Sequence, residues 1–199
     1  MAITINGTGS ITGLTAGGLP DGSVTSADLA TGAITSGALP AGSILQVVQT
    51  VKTDTFSRTS SGSDYGEITG LSVSITPAST SNKILIIARV SASSGTASSR
   101  MAIRLTAAGS VITAYQGSGT GAGSRTSAAS SSELDGTNAE VELTATYLHS
   151  PSTTSSITYA VQGSAEGNQT FYCNRSGTDS DSASVYRTCS SIIVMEVAA

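Results

Sequence analysis

Apolar positions in the first 45 residues recur with a spacing of five, which neither a strand nor a helix produces. Side chains alternate with a period of two along a strand and of 3.6 along a helix. A five-residue spacing indicates a backbone that turns a corner every few residues and directs one apolar side chain inward each time. The recurring positions are Leu14, Leu19, Val24, Leu29, Ile34, Leu39 and Ile44.

Two architectures fit this spacing: a pentapeptide-type β-solenoid formed by one chain, and a spiral of several chains around a common axis. Burying the seven apolar side chains contributes roughly 10–20 kcal/mol, at about 1.5–3 kcal/mol each. Ordering some forty backbone residues costs about 40–80 kcal/mol before hydrogen bonds are credited. Because one chain falls short, we favour a homo-oligomeric stalk over residues 1–45, with the seven residues as its interchain core. A flexible Gly/Ser/Thr linker is the alternative, although a linker needs no apolar repeat.

From about residue 46 the pattern changes to strand-like segments separated by Ser, Gly and Thr turns. Most segments alternate apolar and polar residues, but Lys83–Val90 is apolar almost throughout, as expected for a central strand covered on both faces. Eight or nine strands over residues 46–199 predict an all-β, antiparallel, jelly-roll-like sandwich, with a meander barrel as the weaker option. The predicted strands are 45–52, 67–76, 83–90, 100–106, 111–115, 140–148, 156–162, 170–173 and 191–197.

Long polar segments connect the predicted strands. The longest, residues 117–138, holds a single leucine in 22 residues. We expect it to add nothing to the core and to be functional or mobile. The other long connections are 57–66, 91–99 and 174–190.

Composition supports the all-β prediction and narrows the classes of partner. The 199 residues include 36 Ser, 28 Thr and 22 Gly, and only 11% are charged, which argues against a helical bundle. The net charge is −4 and the nine Lys and Arg residues are scattered, so we expect no nucleic-acid groove. No apolar stretch approaches the roughly 20 residues of a membrane span, and no secretory signal is evident. We therefore expect cytoplasmic synthesis and no membrane insertion.

Few residues offer catalytic chemistry. His149 is the only histidine, and its spacing suggests neither a nucleophile nor an orienting acid, so we predict a solvent-facing strand end. Asp179 and Asp181 lack the further ligands of a calcium loop. Glu140 and Glu142 are two residues apart on one strand, which places both on its exposed face rather than in a catalytic pair. We predict no catalytic residue, no cofactor-binding residue and no metal ligand.

The two cysteines, Cys173 and Cys189, flank a 15-residue polar segment. A reducing cytoplasm favours free, half-buried thiols, and a hairpin-closing disulfide is the alternative. Three Asn-x-Ser/Thr triplets begin at Asn6, Asn168 and Asn174. A chain so rich in Ser and Thr produces such triplets by chance, so they predict no glycosylation.

Several segments together carry a family likeness: GLPDGSVTSADLA at 18–30, AGSILQVVQT at 41–50, ITGLSVSITP at 68–77, SNKILI at 81–86, Asn174-Arg-Ser and IIVMEV at 192–197. The chain resembles tail-fibre and other virion structural proteins of tailed phages, especially those infecting cyanobacteria and marine bacteria. The resemblance implies a homotrimer that mounts on other virion proteins through residues 1–45. It also implies a distal β-rich head.

These observations predict a non-enzymatic virion protein synthesised in the host cytoplasm. The leading hypothesis is a trimeric tail fibre with a stalk over residues 1–45 and a head over residues 46–199. Loops of the head would contact a glycan or protein of the host surface. The alternative is a capsid decoration or cement protein that stabilises the shell. A glycan-degrading tailspike is a weaker third hypothesis, because cleavage needs paired acids in a groove.

Overall fold

The computed structural model describes residues 4–5, 11–12, 24–30, 34, 38–60, 63–118 and 124–199. The chain divides into two compact units, Met1–Leu39 and Pro40–Ala199. The described residues of the first unit include a short antiparallel pair, β1 (Thr4–Ile5) with β2 (Ile11–Thr12), and a 3-10 turn at Ser26–Asp28. Among the described residues, no helix is long and apolar enough to cross a membrane.

The described residues of the second unit form eleven strands and a 3-10 turn at Thr113–Tyr115. Every pairing between these strands is antiparallel. The strands are β3 (Ile44–Lys52), β4 (Phe56–Thr59), β5 (Gly66–Ile75), β6 (Lys83–Ser94), β7 (Arg100–Ala107), β8 (Ser110–Val111), β9 (Ser130–Glu133), β10 (Val141–His149), β11 (Ile157–Ala165), β12 (Thr170–Cys173) and β13 (Ser190–Val197).

The strands form two sheets with jelly-roll connectivity. In the first sheet, β3 and β4 lie end to end along one edge. β13 pairs with β3 and β12 pairs with β4, both β12 and β13 pair with β6, and β10 pairs with β6 on its other side. In the second sheet the order is β5, β11, β7, with β8 and β9 along the outer edge of β7. Three pairs of strands lie end to end: β3 with β4, β8 with β9, and β12 with β13. When each pair is counted as one strand, eight strands remain, and numbering them along the chain gives the order 1-8-3-6 in the first sheet and 2-7-4-5 in the second. This arrangement confirms the predicted antiparallel jelly-roll sandwich and contradicts the meander barrel.

The core lies between the two sheets, as the alternation along each strand requires. Its largest wholly buried side chains come from both sheets, including Tyr159 of β11 and Phe171 of β12. Gly163 lies against the Phe171 ring, where an added Cβ would come within 2.8 Å of a ring carbon. The sandwich is therefore packed too closely at this point for any side chain larger than hydrogen.

The predicted strands are confirmed, but β6 continues to Ser94, through residues expected to begin the connection 91–99, and three further places differ. Residues 111–115 form a strand only as far as Val111, because a 3-10 turn follows. The segment expected to be a loop at 57–66 contains most of β4, and the long connection 117–138 contains β9. The single leucine of that connection, Leu134, is only 1% exposed and belongs to the core, so the expectation that the segment adds nothing to the core was wrong. Both missed strands lie at a sheet edge and are held mainly by backbone hydrogen bonds to one neighbouring strand. Because few of their side chains are apolar, their sequences show no apolar alternation.

A sixteen-residue insertion, 174–189, separates β12 from β13 and is anchored at its base. Asn174 is wholly buried; its side-chain amide donates to the carbonyl oxygens of Lys52 and Asp54, at 2.9 Å each, and its Oδ1 accepts from Ser190 at 2.6 Å. Asn174 also has a φ of +62°, a conformation that asparagine tolerates better than most residues. Gly177 packs so tightly that a Cβ would overlap the Ser94 carbonyl oxygen. These contacts fix the insertion against β6, and the burial of Asn174 makes its triplet unsuitable for glycosylation.

Candidate interaction surfaces

The outer face of the first sheet carries an unusual concentration of apolar side chains. The register places Val47, Met195, Leu85 and Leu148 side by side in one row across four strands. In the next row Ile193 pairs directly with Ile87. We call these six residues the apolar face. Val47 is 56% exposed and Leu148 43%, and the residues between them are half-buried by their neighbours.

The apolar face is comparable in size with the largest apolar patch of a typical monomer. Strands lie about 4.8 Å apart, so a row across four strands spans roughly 15 Å, and successive rows on one face lie about 7 Å apart. Exposed Ile44 and Val51 extend the face along β3. The resulting patch is on the order of 300 Å², at the size where exposed apolar patches of monomers are often functional.

The outer face of the second sheet is polar and satisfies its own hydrogen bonds. Ser74 and Thr158 hydrogen bond across β5 and β11 at 2.7 Å. Arg104 donates to Gln162 at 2.7 Å, and its guanidinium lies 4.3 Å from the centre of the Tyr65 ring. This face is suited to water without a partner.

The N-terminal apolar residues are exposed wherever the structure describes them. Leu14 and Leu19 lie outside the described residues. The remaining five are between 39% and 55% exposed: Val24, Leu29, Ile34, Leu39 and Ile44. Ile44, which the sequence assigned to the stalk, is the first residue of β3 and pairs with Val197, and the predicted boundary at 45/46 therefore lies inside this strand. We call the five described residues the N-terminal stripe.

Beyond the apolar face, the outer surface of β6 becomes polar and forms one wall of a cleft of about 340 Å³. Glu140 accepts hydrogen bonds from the hydroxyls of Ser91, at 2.7 Å, and Thr188, at 2.8 Å. The Arg89 guanidinium lies 2.6 Å from the Glu142 carboxylate. We call this the Tyr186 cleft, and its lining residues are Arg89, Ser91, Asn138, Glu140, Val141, Glu142, Ser184, Tyr186 and Thr188.

The sequence predicted Glu140 and Glu142 on one exposed face, and the structure places both in the wall of this cleft. Glu142 is on the outer face of β10, and Glu140 lies just before that strand. Tyr186 is 71% exposed at the cleft, and the sequence offered it only as one of three tyrosines, with Tyr65 and Tyr172, in connections poor in aromatic residues. The cleft is formed by three segments that lie far apart in the chain, so the sequence does not show that they meet. The one local indication of a site is a tyrosine in a chain with only 4% aromatic residues.

His149 does not face solvent, contrary to the prediction. It continues the inward-facing series of β10 after Leu143, Ala145 and Tyr147, and its Nδ1 lies 2.8 Å from the Tyr159 hydroxyl. Burial lowers the pKa of His149 and raises the pKa of Tyr159, so the neutral imidazole is favoured. The residue caps one end of the core.

The cysteines are both free, as the sequence favoured, but neither is half-buried: Cys173 is wholly buried and Cys189 is exposed. Burial raises the pKa of the Cys173 thiol, which contacts the Ser190 hydroxyl at 3.3 Å. Asp179 lies 2.7 Å from Arg187 and 3.4 Å from Arg175, so it pairs with cations of its own insertion. Within the described part of the chain, no group of three or more His, Cys, Asp or Glu residues is arranged to hold a metal.

Comparison with known proteins adds a likeness of architecture. No family model and no curated protein matches the chain. It is similar to a chain in the structure of infectious bursal disease virus, Gx strain, with 11% identity, 77% of this chain and 32% of that chain covered, and a TM-score of 0.42. It is also similar to a chain of T=1 particles derived from infectious bursal virus, with 9% identity, 77% and 36% covered, and a TM-score of 0.39. The chain spans about a third of the length of those chains, and the likeness concerns the β-rich fold alone.

Proposed function

We propose that the protein is a non-enzymatic structural component of a virion, assembled as a homotrimer in which neighbouring copies cover the apolar face and the N-terminal stripe. The observation that carries this proposal is the bare apolar row Val47–Met195–Leu85–Leu148 on one sheet only. A polar outer face needs no partner, whereas this face gains stability when it is removed from water.

A second copy of the chain is the occupant that best fits the apolar face. The stripe runs along the chain to Leu39 and Ile44, and exposed Val47 follows directly, so two unpartnered apolar elements are continuous in sequence. The sequence of β6 is typical of a strand covered on both faces, yet the single chain covers only one. Closed symmetric assembly of identical chains covers both elements with the same partner.

The size of the apolar face also argues for joint burial with the stripe. A stable interface buries about 800 Å² on each partner, more than the roughly 300 Å² that we estimate for the face from the strand spacing. The stripe supplies further apolar surface from the same chain. In this proposal residues 1–45 also attach the trimer to other virion proteins, and the sandwich forms the head of a tail fibre that contacts the host surface.

A capsid decoration protein is the second candidate, because a shell subunit can cover the same apolar face. Nothing in the geometry of the Tyr186 cleft favours a glycan-degrading tailspike. Glu140 is engaged by two hydroxyls and Glu142 by a guanidinium, which is not the arrangement of a glycosidase acid and its nucleophile.

Quantifying the protein in purified particles distinguishes the two structural roles. A fibre is expected in tens of copies at one position, and a decoration protein in hundreds distributed over the shell. Particles assembled with a chain lacking residues 1–39 provide the matched test of mounting, because the sandwich begins after this unit. We expect the shortened chain to fold and to be absent from particles. Normal incorporation of the shortened chain contradicts the mounting role.

A further inference from the structure

We propose that the Tyr186 cleft binds a neutral sugar ring, stacked on Tyr186 and hydrogen bonded by Glu140, Glu142 and Arg89. The biological use of this binding, attachment to a host glycan, rests on the function proposed above; the binding itself does not. The juxtaposition that carries the inference is an exposed aromatic ring beside a polar floor whose side chains are already held in place.

Tyr186 is the aromatic element of the site. At 71% exposure, its ring is the most exposed large apolar group among the described residues. The insertion that carries it is anchored by buried Asn174 and by an antiparallel backbone β-bridge between Arg175 and Arg187. A tyrosine held in water by an anchored loop presents an apolar ring face with a polar tip, which suits the apolar face of a pyranose.

The floor of the cleft is preorganised. Ser91 is only 6% exposed, and its hydroxyl and that of Thr188 both donate to one oxygen of Glu140. The two hydroxyls also contact each other at 2.8 Å. A carboxylate oriented in this way accepts hydrogen bonds from ligand hydroxyls without first losing its own conformational freedom.

Arg89 and Glu142, which also line the cleft, supply a hydrogen-bond donor and an acceptor. Arg89 is paired with Glu142 at 2.6 Å and reaches the Cys189 carbonyl at 3.5 Å, which fixes the guanidinium at the edge of the cleft. Sugar hydroxyls donate and accept hydrogen bonds, so a wall of this composition matches them. A purely cationic wall would instead favour an anion.

Charge and volume define the class of ligand. Two carboxylates and one guanidinium line the cleft, an excess of negative charge that disfavours uronic and sialic acids. The cleft volume of about 340 Å³ is near the lower end of the range of about 300–1,000 Å³ for small-molecule sites. This volume accommodates one or two rings of a longer glycan. Three copies in one trimer convert weak single contacts into avidity.

The test uses the full chain on a printed array of neutral and acidic oligosaccharides, followed by saturation-transfer NMR with the most strongly retained neutral glycan. We expect retention of neutral glycans and saturation transfer to the ring protons of the bound sugar. Tyr186→Ala should weaken binding at least tenfold, Tyr186→Trp should preserve it, and Glu140→Gln should weaken it. Asp181→Asn in the same insertion, outside the residues that line the cleft, is the matched control and should bind normally.

Three outcomes overturn the proposal. They are retention of acidic glycans alone, no retention of any neutral glycan, and equal binding by the wild type and Tyr186→Ala. The molar mass of each variant is measured in parallel. An intact trimer without glycan binding refutes the sugar site and leaves the structural role standing. A monomer that binds glycan refutes the trimer and leaves the site standing.

Discussion

The two sheets of the sandwich both turn an apolar inner face to the core, but their outer faces differ: one is apolar and the other is polar. On the second sheet, outward-facing Ser74 hydrogen bonds with Thr158, and Gln162 accepts a hydrogen bond from Arg104. On the first sheet the outward positions hold Leu85 and Met195, whose cross-strand neighbours in the same row, Leu148 and Val47, are also apolar. The core requires only the inner faces to be apolar. The fold of the single chain therefore does not require the apolar residues on the outer face of the first sheet, which is why we propose that this face is covered by another copy of the chain.

The largest expected effect comes from placing a charge on each outer face in turn. Leu85→Lys puts an ammonium in the centre of the apolar face, and burying it unpaired in a trimer is strongly unfavourable. We expect dissociation to monomers at micromolar concentration, measured by sedimentation velocity. Thr158→Lys on the second sheet is the matched control and should leave the assembly unchanged. Equal behaviour of the two variants would remove the distinction between the faces.

Two neighbouring residues of β13 sharpen the comparison. Val194 points into the core and is wholly buried, whereas Met195 points outward on the apolar face. Val194→Ala should lower the free energy of unfolding by about 2–3 kcal/mol through the cavity it leaves, with the assembly retained. Met195→Ala should weaken self-association, with little change in the unfolding of the isolated monomer. Urea denaturation and sedimentation, run on both variants, give the two readouts; a reversed pattern would mean that the outer face is structural rather than interactive.

Glu196 follows Met195 on β13 and is buried on the inner face of the first sheet, so its contribution to stability can be measured as a function of pH. Burial alone would raise the pKa of its carboxyl, but hydrogen bonds from Asn82, Gln46 and the Ala78 amide lower the pKa on balance. A lowered folded-state pKa gives stability that is present above the unfolded pKa and lost as the pH falls through the folded one. Glu196→Gln should therefore be less stable at neutral pH and should show a weaker loss of stability below about pH 4.5. An unchanged acid limb of the stability profile would contradict this assignment.

The smallest expected effect concerns His149. Its pKa is lowered by burial, so the unfolded chain binds a proton more readily, and stability should fall as the pH drops below about 6.5. His149→Gln removes this titration, so the stability of the variant should fall less steeply as the pH drops below about 6.5. Thermal unfolding at several pH values checks the slope, and an identical slope in both proteins would place the imidazole in solvent.

Much of the sandwich was predictable because burial on one face imposes alternation. The strands β10 and β11 follow from their period-two pattern, and β6 follows from its continuous apolar run. The edge strands β4 and β9 were not predictable, since Ser, Thr and Arg side chains at a sheet edge carry no burial pattern. Leu134 was a usable signal: a lone leucine in a polar loop marks an anchoring point.

The surfaces were less accessible from sequence than the fold. The apolar face is assembled from four strands, and only the register reveals that Val47, Leu85, Leu148 and Met195 share one row. The Tyr186 cleft joins three segments that lie far apart in the chain. The inward orientation of His149 was within reach, because it lies two residues after Tyr147 on the same face of β10.

Sedimentation equilibrium of the full chain at micromolar concentration tests whether the protein is a trimer. We expect a single species near 59 kDa, three times the chain mass of 19.7 kDa. A stable species at the mass of one chain, with the apolar face left in water, would contradict it.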